Sequence, residues 1–254
     1  MGNGIVRTLF LLFGLSWCFC ACPASGQAPT ITVVTEEYPP YNFTDNGTIR
    51  GCSTEIVEEM MKRARLQYTL MSYPWARTYN MAQEYPNVLI YSIGRSDKRE
   101  KLFKWIDVVA PYDIYLYKLK RRKDIAVANL GDARKYRTGA VRDDVRAQFL
   151  EKNGFEPGIN LDLVTMDIQN IRKMANDRID LFPIDQLALA HILRLAGGRL
   201  EDYEPVLYLK DLSAGLYLAF SLGTDDALVD RCREALAEIK KDGTYDAIMK
   251  KFLQ

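Results

Sequence analysis

The chain has 254 residues, 48% of them hydrophobic, with 34 Lys and Arg against 33 Asp and Glu for a formal net charge of +1. That length and apolar content support a generous core in one large or two small domains. The even balance, with no basic patch and no block of like charge, argues against nucleic acid as a partner and against a disordered tail.

The chain opens on a targeting segment. Arg7 precedes an apolar run from Leu9 to Ala21, and the small residues of PASGQA follow. A charged start, a short apolar stretch and a small-residue exit make a secretory signal, and the run is too short to span a bilayer as a helix. Residues 1–26 are therefore expected to be removed after Gly26, which places the protein in the periplasm. Cys18, Cys20 and Cys22 lie in this leader. A lipidated Cys22 is the alternative, supported by Ala21 and opposed by Phe19 and Cys20. Beyond the leader only Cys52 and Cys232 remain. An oxidising compartment allows them to pair, but two separate buried thiols is the plainer expectation.

From there, short β-branched and aromatic runs alternate with amphipathic helical patterns. ITVVTEE reads as a strand and YPPYNF as a rigid loop, because paired prolines exclude helix. STEIVEEMMKRARLQ places Ile56, Val57, Met60, Met61 and Ala64 on one helical face, with Ser53 or Thr54 as its expected cap. YTLMSYP is a strand, WARTYNMAQ a short helix and NVLIYSIG a third strand. Such alternation implies helices packed around a mainly parallel sheet.

A second unit of the same kind follows. TGAVRDD runs from strand into a helix start, VRAQFLEKNG is a helix stopped by Gly154, and LDLVTM is a strand. DIQNIRKMANDR is a helix expected to be capped by Asp167, IDLFPID a strand, and DQLALAHILRLAGG a helix ended by Gly197 and Gly198. DIYLYKLKRRKD links the units, EPVLYLKD and AGLYLAFSLG read as strands, and two amphipathic helices close the chain. The economical fold is α/β with two lobes: residues 27–116 and 212–254 in the first, 117–211 in the second. Two extended crossings are expected near residues 115–120 and 206–213, and closure about them is a hinge motion.

Two charged residues stand out against this frame. Arg99 follows the buried-looking strand NVLIYSI, and Asp185 ends the apolar strand IDLFPID, five residues after Asp180. A guanidinium in one half and a carboxylate in the other are what a cleft needs to hold a zwitterion, the first pairing its carboxylate and the second its ammonium. That arrangement points to binding, with no catalytic residue. Sequence motifs for hydrolase, metalloprotease, nucleotide or redox chemistry are missing, and a lone histidine, His191, makes a metal site or a triad improbable, so no metal and no cofactor are expected.

The chain resembles the family 3 periplasmic solute-binding proteins, the polar amino-acid binders of ABC importers. The marks are EEYPPYNF, Gly51 and Glu55 opening the first helix, Ser96 and Arg99 before Phe103, the Asp180–Asp185 spacing, the closing KKDGTYDAIMKKF and the branch-specific PWAR of Pro74 to Arg77. The resemblance implies the type II periplasmic-binding fold and a monomer that takes a small polar, amino-acid-like solute and docks an inner-membrane ABC permease. It implies an aromatic lid at Tyr38, a stacking ring at Trp75, ligand-carboxylate contacts at Ser92, Gly94 and Arg99, and an ammonium acceptor at Asp185. Where the family usually carries Gly-Thr or Gly-Ser at a helix start, this chain has Asp143 and Asp144. Two acids there repel an anion, and Arg77 and Arg95 add positive charge on the first-lobe side. The ligand is therefore expected to carry a cation facing the second lobe, with Asp144 and Asp185 opposite it.

Plainer roles stand beside these. Arg99 sits in a charged run, Arg77 has Glu84 in reach, Asp185 suits a helix cap, and Tyr38 and Trp75 suit a core. The alternatives in function are a sensory binding protein for a receptor and a periplasmic lyase of the cyclohexadienyl dehydratase kind.

Overall fold

A computed structural model of the chain describes residues 1–2 and 30–252. The expected signal segment and its three cysteines lie outside the described residues, apart from Met1 and Gly2. No described helix is long and apolar enough to cross a membrane.

The first lobe is built on a five-stranded sheet in the order β4-β1-β5-β12-β6. Its strands are β1 (Ile31–Thr35), β4 (Tyr68–Ser72), β5 (Val88–Gly94), β6 (Phe103–Ala110) and β12 (Leu216–Ser221). β1 runs parallel to β4 and β5, while β12 runs antiparallel to β5 and β6. The sheet is thus mixed rather than mainly parallel, because the returning strand enters from the opposite end. All seven residues of β5 are buried, as its unbroken apolar run demands of a central strand. On one face α1 (Cys52–Arg63) packs against α7 (Asp226–Lys241) and α8 (Thr244–Phe252), and α2 (Trp75–Glu84) lies against β5. Ile56, Val57, Met60 and Met61 of α1 are all fully buried, each contributing about 1.5–3 kcal/mol by leaving water.

The start of α1 differs from expectation. Its N-cap is Gly51, and Ser53 and Thr54 lie inside the helix. The amides of Cys52 and Ser53 instead donate to the carbonyls of Pro40 and Tyr41, at 3.1 and 2.9 Å. The loop 36–42 therefore caps the helix with its own backbone. Only glycine fits at 51, since φ is 124° and an added Cβ would lie 2.2 Å from the Tyr41 carbonyl oxygen. A small hairpin also escaped the sequence reading: β2 (Phe43–Asp45) and β3 (Thr48–Arg50) are joined by Asn46-Gly47, both with positive φ, a strong two-residue turn signal.

The second lobe centres on β7 (Ile114–Leu119), which pairs antiparallel with β10 (Phe182–Asp185) and β11 (Tyr203–Tyr208). β8 (Thr138–Val141) pairs parallel with β9 (Leu161–Val164) and bridges Leu181 beside β10. Around them pack α3 (Leu130–Ala133), α4 (Val145–Lys152), α5 (Asp167–Ala175) and α6 (Gln186–Ala196). The stretch 115–120, expected as the first crossing, is therefore the central strand of this sheet. The link from β6 is residues 111–113, and the return runs between β11 and β12. α5 begins one residue earlier than expected: Met166 is its N-cap, and Asp167 is its first residue.

Cys52 in α1 and Cys232 in α7 are free and buried, and burial pushes both thiols up to about 12. Both are expected to resist alkylation at pH 8 in the folded protein and to react once it is unfolded. Peptide mapping after iodoacetamide treatment checks this; rapid labelling of either in the native protein would contradict it.

Candidate functional site

The lobes meet around a small cavity of about 10 Å³, lined from the first lobe by Glu36, Tyr38, Ser92 and Gly94 and from the second by Asp144 and Arg146. Such a volume takes about one water molecule, so a solute reaches it only when the lobes part. Local backbone explains why these residues converge. Ser92 is the extra residue of a bulge: Tyr91 pairs with Leu218 and Ile93 with Tyr217, leaving Ser92 at φ 58°. Bulges turn a side chain off the sheet's alternation, and here they leave the Ser92 hydroxyl buried without a partner. Gly94 lets the lobes touch, for an added Cβ would sit 2.6 Å from the Val145 Cγ1.

Arg99 is fully buried between the lobes. Its Nη1 donates to the Gly94 carbonyl at 2.9 Å and its Nη2 to the Asp143 carbonyl across the cleft at 2.8 Å, while Nε has no partner. Trp75 and Tyr79 stack on one another and lie 5.1 and 4.8 Å from the guanidinium carbon. Trp75 therefore braces Arg99 rather than lining the cavity. Burial lowers the Arg99 pKa, with Asp144 opposing.

The second lobe contributes a buried ion-pair cluster. Asp144 caps α4 by accepting from the Arg146 amide, and its Oδ1 also accepts from Arg146 Nε at 2.7 Å. Arg146 Nη2 donates to Asp167 Oδ2 at 3.1 Å and Nη1 to the Pro183 carbonyl at 3.2 Å. Burial works to raise the Asp144 carboxyl, but the adjoining Arg146 holds it below the usual range. For Asp167 burial wins and its pKa rises despite Arg146. Glu36 makes no side-chain hydrogen bond among the described residues and is pushed well up, first by burial and then by Asp144 and Asp167.

Asp185 ties the lobes together. It caps α6 through the Ala188 amide at 3.0 Å and accepts from the hydroxyls of Tyr38 at 2.5 Å and Tyr41 at 3.1 Å. Burial raises its pKa against these hydrogen bonds. Cap and cleft residue coincide, as both sequence roles allowed.

Of the nine residues singled out from sequence, Tyr38, Ser92, Gly94 and Asp144 line the cavity, and Trp75, Arg99 and Asp185 stand directly behind it. Arg77 and Arg95 do not reach it. Arg77 is exposed and lies 3.9 Å over the Tyr73 ring, with no ion pair to Glu84. Arg95 forms a two-pronged pair with Glu100 and faces Trp105 and Tyr217, lining a separate interlobe groove of about 790 Å³. Their charges are spent outside, where the run of polar neighbours already keeps them solvated. Asp143 likewise points to solvent, and only its backbone carbonyl joins the site. Asp180 pairs Arg122 instead. His191 flanks the cleft against Phe43, with ring centroids 5.1 Å apart.

Sequence reasoning missed Glu36, Arg146 and Asp167. One signal was present for Arg146: a cation in the first turn of a helix is opposed by the dipole, so its place two residues after a capping Asp needed a buried partner. The two acids are consequently not equivalent. Asp143→Asn is expected to leave stability and ligand affinity unchanged, whereas Asp144→Asn should keep the cap but lose the buried ion pair with Arg146, about 1–3 kcal/mol. Urea denaturation of the two single variants separates them; equal effects would contradict the geometry.

Four carboxyls (Glu36, Asp144, Asp167, Asp185) and two guanidiniums (Arg99, Arg146) face one another with little or no solvent exposure. Among the described residues, no group of three or more His, Cys, Asp or Glu is arranged to hold a metal ion.

Residues 31–254 match the family model for bacterial extracellular solute-binding proteins, family 3. The chain is 24% identical over 235 residues to the L-cystine-binding protein TcyA of Bacillus subtilis, covering 87% of this chain and 80% of that one. It is 24% identical over 247 residues to the arginine-binding periplasmic protein of Mannheimia haemolytica, covering 96% and 97%. Among solved structures, an ancestral arginine-binding protein bound to arginine superposes with a TM-score of 0.76 at 19% identity, over 89% of this chain and 98% of that one. The last is a likeness of fold, the type II periplasmic-binding architecture.

Proposed function

From the premise that this chain belongs to the extracellular solute-binding proteins of family 3, we propose that it captures a cation-bearing, amino-acid-like solute between its lobes for an inner-membrane ABC importer. The observation that carries this is the surplus of buried carboxyls over guanidiniums around the interlobe cavity. Buried charge is costly unless paired, and an ammonium or guanidinium supplied by the solute pairs what Arg99 and Arg146 leave over. Arg99, with its unpartnered Nε, is the group for the solute's carboxylate. Ser92 offers a free hydroxyl beside it. The acid at Asp144 is matched within its own helix turn by Arg146, so the cation's partners are Glu36, Asp167 and Asp185 rather than the paired acids at the start of α4.

Closure follows from the same contacts. The Asp185 bonds to Tyr38 and Tyr41 and the Arg99 bond to Asp143 all cross the cleft, and they form only when the lobes meet. A transport role places the protein in the periplasm with the permease as its partner, and no residue is assigned a catalytic task.

Protons test this polarity. Glu36, Asp167 and Asp185 have raised pKa values, so each holds its proton to a higher pH than a free carboxyl, which titrates near ~4. Pairing with a cation requires the ionised form. Binding of L-arginine or L-lysine is therefore expected to release protons and to strengthen as pH rises above the usual carboxylate range. Calorimetric titration in two buffers of different ionisation heat reads the proton count directly. Proton uptake, or tighter binding at lower pH, would overturn the assignment.

A further inference from the structure

Asp167 has a second face. Its Oδ2 is taken by Arg146, but its Oδ1 is buried and has no partner, and the residue is only 4% exposed. The same side chain forms part of the wall of a groove of about 360 Å³ at the mouth of the cleft. Pro39 and Phe43 of the first lobe face Met166, Ile192 and Leu195 of the second across it. Leu195 and Met166 are 68% and 37% exposed, uncommon for large apolar side chains. The other charges at the groove are spent or placed at its rim. Glu37 accepts from the Thr44 amide and from the hydroxyls of Thr44 and Ser72. Asp45 faces Arg50 at 3.7 Å. Arg172 lies exposed at the edge, where it repels a second cation and tolerates an apolar group.

Asp167 thus lines the apolar groove and is joined to the charged cavity through Arg146, with one unused acceptor. We propose that the groove is a second compartment of the solute site. It takes a basic amino acid whose distal nitrogen carries an apolar substituent: the cationic nitrogen pairs Asp167 Oδ1, and the substituent lies between Phe43 and Ile192. The inference rests on the function proposed above, since the amino-acid head occupies that site. Because the groove has walls from both lobes, a filled groove also holds them together.

The test uses L-lysine and Nε-butyl-L-lysine in calorimetric titrations of the exported chain. Each methylene that leaves water strengthens binding by ~4-fold, so the butyl compound should bind at least about tenfold more tightly. Ala196 lines the outer end of the groove and is exposed, so Ala196→Trp fills the space without touching Asp167 or Arg146. That variant should bind L-lysine as the wild type does and lose the butyl gain. Asp167→Asn should weaken both ligands. If L-lysine binds and the butyl compound binds equally or less well, the groove is no subsite, while the reading of the main site stands. A butyl gain that survives Ala196→Trp places the substituent elsewhere and overturns the inference. Binding of neither compound overturns the inference, while the reading of the main site then stands or falls with L-arginine and L-ornithine.

Discussion

Replacing Arg146 with alanine is expected to cost the folded protein about 3–5 kcal/mol, the usual result of removing one partner from a buried ion pair. The residue is 1% exposed and its guanidinium serves Asp144, Asp167 and the Pro183 carbonyl at once. Its loss leaves two carboxylates buried with no cation between them. Chemical denaturation should show a lowered midpoint with an unchanged slope. Adding Asp167→Asn to the alanine variant should recover part of the loss, because one of the stranded charges is then gone. The pH profile carries a further mark. Arg146 holds the Asp144 pKa below its unfolded value, so this carboxyl's contribution is present above the unfolded pKa and disappears as pH falls through the folded one. In the Arg146→Ala variant that acid-side decline from Asp144 should be absent. A variant as stable as the wild type would mean that the cluster is solvated and not a structural core of the second lobe.

Arg99→Ala is expected to cost about 2–5 kcal/mol of binding for a solute carboxylate, as truncating one partner of a buried charge pair does. The structure adds a cost in stability that a surface arginine would not have. Arg99 is enclosed by Trp75 and Tyr79 and bonds carbonyls in both lobes, so the variant leaves a cavity and two unserved acceptors. Arg99→Lys should restore part of the affinity, since an ammonium cannot reproduce the planar fork. Calorimetry of both variants against the best-bound basic amino acid checks this. Near-native affinity for Arg99→Ala would assign the residue to interlobe structure alone.

Much of the fold was legible because its signals are local. The uninterrupted apolar run of β5 reads as a buried strand, the spacing of Ile56, Val57, Met60 and Met61 reads as a helix face, and Gly197 reads as a stop that the structure places at φ 71°. Less was legible where a distant segment decides. Ser53 looks like a helix cap, but the carbonyls of Pro40 and Tyr41 take that role from a loop about a dozen residues earlier. IYLYKL looks like an isolated crossing until β10 and β11 flank it on both sides. The site divides along the same line. Asp185 is the last residue of β10, and Arg99 follows the end of β5 by five residues, just before the 3-10 turn Glu100–Leu102. Arg77 and Arg95 have the same chemistry and neighbouring sequence, but helix phase and the Glu100 pairing turn them away. Glu36 was hidden by its context, one acid among the two in TEEYPPYNF, and nothing in the sequence tells which of the pair is buried. Glu37 instead pins Thr44 and Ser72.

Melting temperature in excess ligand reads the polarity of the site. A ligand at a hundredfold excess over its dissociation constant adds about 2.7 kcal/mol, which for a chain of this size raises the midpoint by roughly 5–10 °C. Such a rise is expected with at least one basic amino acid among L-arginine, L-lysine and L-ornithine, and none with L-glutamate or L-aspartate. A comparable rise with either dicarboxylate, and none with the basic amino acids, would contradict it.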